Sequence, residues 1–110
     1  MSESTNYTLV LVTTSSVEEA ETIAAELLIA KLAACVNILP LHCSIYNWQG
    51  QVNKDKEWQL LIKTNINKFS VLETKIKELH SYEVPEIIAL PIIAGSQAYL
   101  SWMDEQVENN

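Results

Sequence analysis

The segment EWQLLIKT, residues 57–64, has the clearest β-strand pattern in the chain. Its side chains alternate in character, with large apolar residues on one side of an extended chain and polar residues on the other. The two sets are Trp58, Leu60 and Ile62 against Glu57, Gln59 and Lys63. This period predicts a β-strand with one face in the core, within an extended segment that covers 52–64.

The preceding segment, 33–48, predicts a second long strand, and Trp48-Gln49-Gly50-Gln51 supplies a turn that joins the two into a hairpin. Pro40 has no N–H to donate, so it must lie on an edge strand or at a bulge. Two strands of about 14 residues at roughly 3.3 Å each reach about 45 Å, which exceeds the ~34 Å diameter of a compact chain of this size. The hairpin should therefore extend beyond its own subunit.

An overhanging hairpin with large aromatic side chains is an aggregation hazard unless another subunit covers it. We therefore expect an obligate homo-oligomer whose subunits pair through these strands. The aromatic residues that we expect in the subunit interface are Tyr46, Trp48, Trp58 and Trp102. They are better suited to packing than to base stacking, because the chain lacks the cationic groove that base stacking accompanies.

The rest of the chain completes a βαββαβ order followed by one further helix. The predicted elements are a strand over 7–14, a helix over about 17–32 capped by Ser15-Ser16, a helix capped by Asn67 that ends near His80, a strand over 86–94 and a last helix of about ten residues after Gly95-Ser96. This order predicts an α+β fold of the ferredoxin-like type, with two helices on one face of a four-stranded antiparallel sheet. We expect one domain over 1–110, with its core at about 7–107.

Composition excludes several classes of function. The chain has 110 residues, 48% of them hydrophobic, and a formal net charge of −7 from seven lysines, no arginine and fourteen acidic residues. That balance argues against nucleic acid as a partner. No apolar run approaches the roughly 18 residues of a membrane span, and no leader precedes the first strand, so we expect a cytoplasmic protein without a membrane partner. Cys35 and Cys43 lack redox or zinc-finger spacing and are expected to be reduced thiols.

The stretch LHSYEVPE, residues 79–86, places His80 close to Glu83 and Glu86, just before a buried strand. An imidazole beside carboxylates can bind a divalent metal, exchange a proton or form a buried hydrogen-bonded cluster. Catalysis is not expected, because the chain has no GxSxG, HExxH, P-loop or dinucleotide motif. The neighbouring His42 and Cys43 point to opposite faces of an extended chain and do not form a catalytic pair.

Five segments in this order resemble the CutA family of divalent-cation tolerance proteins. They are AACVNI at 33–38, SIYNWQG at 44–50, EWQLLIKT at 57–64, LHSYEVPEII at 79–88 and GSQAYLSW at 95–102. The resemblance spans Leu9 to Trp102. It implies a ferredoxin-like subunit in a homotrimer similar to the PII signalling proteins, located in the cytoplasm and linked to tolerance of copper and other divalent metals.

The same resemblance implies a metal site. Some family members are thought to bind copper through a cysteine at the end of the first strand and the histidine and glutamate of the LHxYxxPE motif. The motif residues here are His80 and Glu86, but Val12 occupies the cysteine position. Without that soft ligand, tight copper(I) binding is not expected.

Two interpretations remain open for each candidate site. In the first, His80 binds copper or zinc weakly together with Glu83 or Glu86, and Glu57 from the neighbouring strand or another subunit completes the site. In the second, His80 interacts with the end of its helix and with a carboxylate.

A cleft between subunits is also predicted. It would either bind a small ligand or partner protein, or hold a salt-bridge network between chains. The polar motif residues and the one aromatic residue predicted to line it are Glu57, Lys63, Tyr82, Glu86 and Trp48. The functional alternatives are therefore metal tolerance through weak binding, PII-like sensing, or a stable trimeric scaffold with an indirect role.

Overall fold

The structure is a computed structural model and describes residues 6–108. The elements are β1 (Tyr7–Thr14), α1 (Val17–Ile29), β2 (Cys35–Pro40), β3 (Ser44–Trp48), β4 (Gln51–Asp55), β5 (Trp58–Asn65), a short 3₁₀ helix (Ile66–Lys68), α2 (Phe69–Leu79), β6 (Ile87–Pro91) and α3 (Gln97–Val107). The predicted core at 7–107 falls within this range, whereas residues 1–5 and 109–110 of the predicted domain lie outside it.

The main sheet has the strand order β2-β5-β1-β6, and every neighbouring pair is antiparallel. Helices α1 and α2 cover one face of it. The side chains between these helices and the sheet are fully buried; they are Val10, Val12, Leu60 and Ile62 from the strands and Ile23, Leu27, Leu72 and Ile76 from the helices. The ferredoxin-like α+β prediction with an additional C-terminal helix is therefore confirmed.

The predicted long hairpin is divided into two parts. Strands β2 and β5 belong to the main sheet, and β3 and β4 pair with each other as a separate ribbon. The break follows Pro40, which ends β2 on the edge of the sheet and cannot continue the ladder. Beyond it the Leu41 N–H donates to the Glu57 carbonyl at 2.9 Å, which holds the two chains together at the base of the ribbon.

The ribbon turns as the sequence predicts and makes the subunit elongated. Gln49 and Gly50 both have positive φ, at 53° and 77°, which suits a two-residue hairpin turn. The subunit measures 45 × 32 × 22 Å. Its longest dimension exceeds the ~34 Å expected of a compact chain of this length; that the hairpin extends beyond its own subunit stays a prediction.

Two helix boundaries differ from the prediction. Helix α1 ends at Ile29 because Lys31 adopts a left-handed φ of 58° and the Leu32 N–H donates back to the Leu27 carbonyl at 2.9 Å. This reversal turns Leu32 into the core. The predicted cap Asn67 lies inside the 3₁₀ helix, whose own cap is Asn65, since the Asn65 Oδ1 accepts the Asn67 N–H; α2 follows Lys68 without a side-chain cap.

The opposite face of the main sheet, here called the open face, is only partly covered. Its apolar side chains come from paired strands, with Leu11 opposite both Leu61 and Ile88 and Leu9 opposite Leu90. Ile88 and Leu90 remain 50% and 41% exposed. Helix α3 covers one end of the face, where Met103 and Val107 pack on Ala34 and the Tyr7 hydroxyl donates to Asp104 at 2.7 Å. The exposed remainder is apolar surface available for contact.

No helix within residues 6–108 is long and apolar enough to span a membrane.

Replacing Leu60 by alanine should lower the free energy of unfolding by about 2–5 kcal/mol, because it leaves a cavity where the sheet meets both helices. Chemical denaturation with guanidinium would measure the loss. The matched control is Val52→Ala on the ribbon, where the parent side chain is 72% exposed and a change within about 0.5 kcal/mol is expected. Equal losses in the two variants would contradict the assignment of the core.

Candidate functional site

The imidazole of His80 is the buried centre of the candidate site. His80 ends α2, and its side chain is 0% exposed. The ring Nε2 lies 2.7 Å from the carbonyl oxygen of Thr13, and the ring Nδ1 lies 3.0 Å from the backbone nitrogen of Tyr82. A carbonyl only accepts and an N–H only donates, so Nε2 carries the proton and Nδ1 accepts. This is the neutral Nε2–H tautomer, with both nitrogens engaged.

Glu19 ties the first helix to the same loop. Its backbone N–H donates to the Ser16 hydroxyl as a helix cap, as the sequence predicts. Its carboxylate accepts from the Ser81 N–H at 2.5 Å and from the Ser81 hydroxyl at 3.0 Å. One carboxylate oxygen is 3.6 Å from the Nδ1 of His80. No sequence pattern indicates this second role, because Glu19 and Ser81 are 62 residues apart.

Tyr82 contacts both His80 and Glu57, the residue just before β5. Its ring is tilted against the imidazole at a centroid distance of 4.7 Å, and its hydroxyl donates to the Glu57 Oε2 at 2.5 Å. Burial, together with the hydrogen bond to Glu57 and the charge of that carboxylate, raises the pKa of Tyr82 well above its usual range. Tyr82 is therefore a neutral hydrogen-bond donor at physiological pH. Glu57 itself is only 7% exposed, although the strand alternation had placed it on a polar face.

A cleft of about 480 Å³ opens between the ribbon and the 82–86 loop, and we call it the ribbon cleft. Three aromatic rings and three carboxylates line it, namely Tyr46, Trp48, Tyr82, Glu57, Glu83 and Glu86. Thr13, Ser44, Ile45 and Val84 complete the lining. The structure thus brings together most of the residues predicted for the cleft and both glutamates predicted for the metal site.

Four predicted residues lie elsewhere. Lys63 projects from the open face, where it donates to Asn37 at 2.7 Å and lies 5.9 Å from the centre of the Tyr99 ring. His80 and Trp58 do not line the cleft, and Trp58 packs against the core. Trp102 lies on α3 beside Tyr99 and is 39% exposed. The prediction that Lys63 lines the same cleft as Glu57 is therefore not met within one subunit.

The carboxylates of the ribbon cleft lack basic partners. Within residues 6–108, no lysine or histidine nitrogen lies within 4.0 Å of Glu57, Glu83 or Glu86. Glu86 is exposed in the single subunit, yet partial loss of solvent, and secondarily the charge of Glu57, raise the pKa of its carboxyl. The cleft is therefore an environment of uncompensated negative charge.

The metal ligands predicted from the sequence are only partly assembled. Among residues 6–108, no group of three or more His, Cys, Asp or Glu side chains is placed to hold a metal ion. His80 could ligate only by releasing Thr13 or Tyr82. Val12, where the resemblance noted in the sequence leads one to look for a cysteine, is fully buried beneath the helices. One subunit therefore offers carboxylates without a complete ligand set, and the role of His80 as a ligand stays a prediction.

Comparison with known proteins relates almost the whole chain to one family. The family model described as CutA1 divalent ion tolerance protein matches residues 8–106. A divalent-cation tolerance protein CutA from Thermus thermophilus is 52% identical over 97 residues, which cover 88% of this chain and 94% of that protein.

Solved structures agree in fold. One is described as the periplasmic divalent cation tolerance protein CutA from Archaeoglobus fulgidus; it superposes with a TM-score of 0.91 at 42% identity and covers 93% of this chain and 99% of the other. CutA1 from Oryza sativa superposes with a TM-score of 0.91 at 38% identity, over 97% and 98% of the two chains.

Replacing Glu86 by glutamine should change how stability depends on pH. A carboxyl whose pKa is raised on folding favours the folded state once it is protonated, so its contribution is present below its ordinary value of 4.5 and is lost as the pH rises through the folded value. Glu86→Gln should therefore melt at a higher temperature than the parent near neutral pH, and the difference should vanish below pH 4.5. Thermal unfolding across this range measures it.

The control is Glu78→Gln, which removes an exposed carboxylate from α2 outside the ribbon cleft. A Glu86→Gln protein that is less stable than the parent near neutral pH would contradict the assignment of this carboxyl.

Proposed function

The chain belongs to the CutA1 family of divalent ion tolerance proteins, and from that membership we propose that it acts in tolerance of divalent metal ions as a cytoplasmic homotrimer without catalytic activity. The observation that carries the proposal is the ribbon cleft, whose lining includes three carboxylates and, within residues 6–108, no basic side chain within 4.0 Å of them. Such a site attracts cations, and it would bind a divalent ion weakly through oxygen ligands.

The trimer is supported by apolar surface that one subunit leaves uncovered. The open face presents Ile88 and Leu90 between strands whose other face is a packed core. The ribbon presents Ile45 and Val52, which are 64% and 72% exposed. Contiguous apolar surface of this kind is uncommon on monomeric proteins, and it favours burial against further copies of the chain.

Metal binding is proposed at Glu83 and Glu86, with Glu57 as the neighbouring buried carboxylate. A divalent ion held by so few protein ligands would keep water in its remaining positions or take a ligand from a second subunit. His80 supports this site indirectly, because its hydrogen bond to the Tyr82 N–H positions the loop that carries both glutamates. Copper(II) and zinc(II) are the ions to test first, since Val12 provides no soft ligand for copper(I).

A second candidate function is PII-like sensing, in which the ribbon cleft binds a small ligand or a partner protein. The size and aromatic lining of the cleft favour it, since about 480 Å³ falls within the usual range for small-molecule sites.

A cytoplasmic location is supported by Cys35 and Cys43, both of which are free thiols.

Sedimentation equilibrium at micromolar concentration should give three times the 12.4 kDa chain mass. Leu61→Glu should shift the protein toward single chains, because it places a charge in the middle of the open face. Ala25→Glu, with the same added charge on the exposed side of α1, should remain a trimer. A parent protein that sediments as a folded monomer would refute this part of the proposal.

Calorimetric titration of the parent protein with copper(II) or zinc(II) should show weak binding. Glu86→Gln and Glu83→Gln should each weaken it by about tenfold, because each removes a charged oxygen ligand. Glu105→Gln on α3 is the control, since it is an exposed carboxylate outside the cleft, and it should match the parent. Identical curves for all four proteins would rule out the carboxylate site.

A further inference from the structure

One oxygen of Glu57 is left for a ligand. The residue is 7% exposed, and its Oε2 is taken by the Tyr82 hydroxyl. Within residues 6–108 its Oε1 accepts no hydrogen bond, yet no fully buried side-chain oxygen lacks a partner in the same range. Oε1 therefore keeps some contact with solvent, and Glu57 is one of the residues that line the ribbon cleft.

The Glu57 Oε1 favours a positively charged ligand. A carboxylate removed from water is costly unless an opposite charge or several hydrogen bonds compensate it. The Glu57 carboxylate accepts one hydrogen bond and has no basic partner within 4.0 Å in residues 6–108. A donor that carries positive charge would supply the missing compensation, and Glu83 and Glu86 add to the attraction from the same cleft.

The aromatic residues that line the cleft favour an organic cation over a metal ion. Tyr46, Trp48 and Tyr82 present aromatic rings, which attract ammonium groups through the negative charge on their faces. Both tyrosine hydroxyls donate to carboxylates, Tyr46 to Asp55 and Tyr82 to Glu57, and this polarisation makes their rings richer in electrons. A hydrated metal ion gains little from such rings, and three chelating side chains are not assembled within residues 6–108.

The combination of charged and apolar side chains in the lining indicates the kind of ligand that fits the cleft. Ile45 and Val84 line the cleft alongside the rings, so a hydrocarbon segment can lie between the charged ends of a bound molecule. Three carboxylates favour more than one positive charge. A cleft of about 480 Å³ accommodates a short aliphatic chain.

We propose that the ribbon cleft binds a small aliphatic di- or polyammonium ion, with one ammonium group on the Glu57 Oε1 and the hydrocarbon segment against the aromatic rings. The inference rests on the proposed function, since it assigns a ligand class to the same cleft. It also implies that the amine and a divalent metal compete for Glu83 and Glu86.

The test is calorimetric titration of the full-length, metal-free oligomer with 1,4-diaminobutane, and with 1,4-butanediol as the uncharged analogue. The diamine should bind with a dissociation constant of about 0.1–1 mM at low salt and more weakly as salt is added. The diol should give no binding. Diol binding equal to diamine binding, or no diamine binding at all, would overturn the proposal; the latter result would mean that a lysine of a second copy fills the cleft or that nothing does.

Two variants test separately how the Glu57 charge and the Trp48 ring contribute to diamine binding. Glu57→Gln keeps an acceptor for the Tyr82 hydroxyl but removes the charge, and should weaken diamine binding about tenfold or more. Trp48→Leu changes a side chain that is 49% exposed, so the fold should survive, and should weaken binding several-fold. Glu105→Gln should bind like the parent. Unchanged affinity in folded Glu57→Gln and Trp48→Leu proteins would overturn the assignment to this cleft.

Titration of the same samples with zinc(II) distinguishes this inference from the proposed function. Zinc binding without diamine binding would overturn the ammonium site and leave the metal site standing. Diamine binding without zinc binding would support the ammonium site and remove the metal site from the proposed function.

Discussion

Two hydrogen bonds on the buried imidazole of His80 hold the candidate site in place. One joins Nε2 to the end of β1 at Thr13, and the other joins Nδ1 to the backbone of Tyr82. Because the ring donates on one side and accepts on the other, it fixes the chain that leaves α2 against the edge of the ribbon cleft. The Tyr82 hydroxyl then reaches Glu57, and Glu83 and Glu86 line the cleft.

The surface that we propose for assembly and the cleft that we propose for binding share the ribbon. The open face and the ribbon carry the apolar surface that we propose for contact between subunits. The ribbon cleft carries negative charge without basic partners. The ribbon contributes to both, because its residues Tyr46 and Trp48 line the cleft while Ile45 and Val52 are largely exposed. Association of subunits would therefore change the solvent exposure of the binding site directly.

The sequence predicted those features that depend on local pattern. The alternation in 57–64 placed Leu60 and Ile62 in the core, and the missing N–H of Pro40 placed it on an edge strand. It did not predict the break between sheet and ribbon, because that break depends on a hydrogen bond between Leu41 and Glu57 across the hairpin. The burial of Glu57 was also missed, because a polar residue at an outward position signals exposure unless a distant partner such as Tyr82 covers it.

The candidate site was predicted in its residue types more than in its contacts. LHSYEVPE identified the loop, but Thr13, which holds His80, lies 67 residues away and bonds through its backbone, so its side chain gives no signal. Lys63 was grouped with Glu57 as a polar motif residue expected in a cleft between subunits; in the single chain Lys63 donates to Asn37, whereas Glu57 accepts from Tyr82. Contacts of this kind depend on how the strands pair, which residue patterns constrain only loosely.

The tautomer of His80 shows whether this imidazole holds the candidate site in place. Nitrogen-15 NMR of protein labelled in its histidine rings distinguishes a protonated from an unprotonated ring nitrogen. In metal-free protein the His80 Nε2 should be protonated and the Nδ1 unprotonated, and both resonances should be unchanged when zinc(II) is added. A proton on Nδ1, or a zinc-induced shift of either ring nitrogen, would contradict the structural role of His80 and make it a ligand.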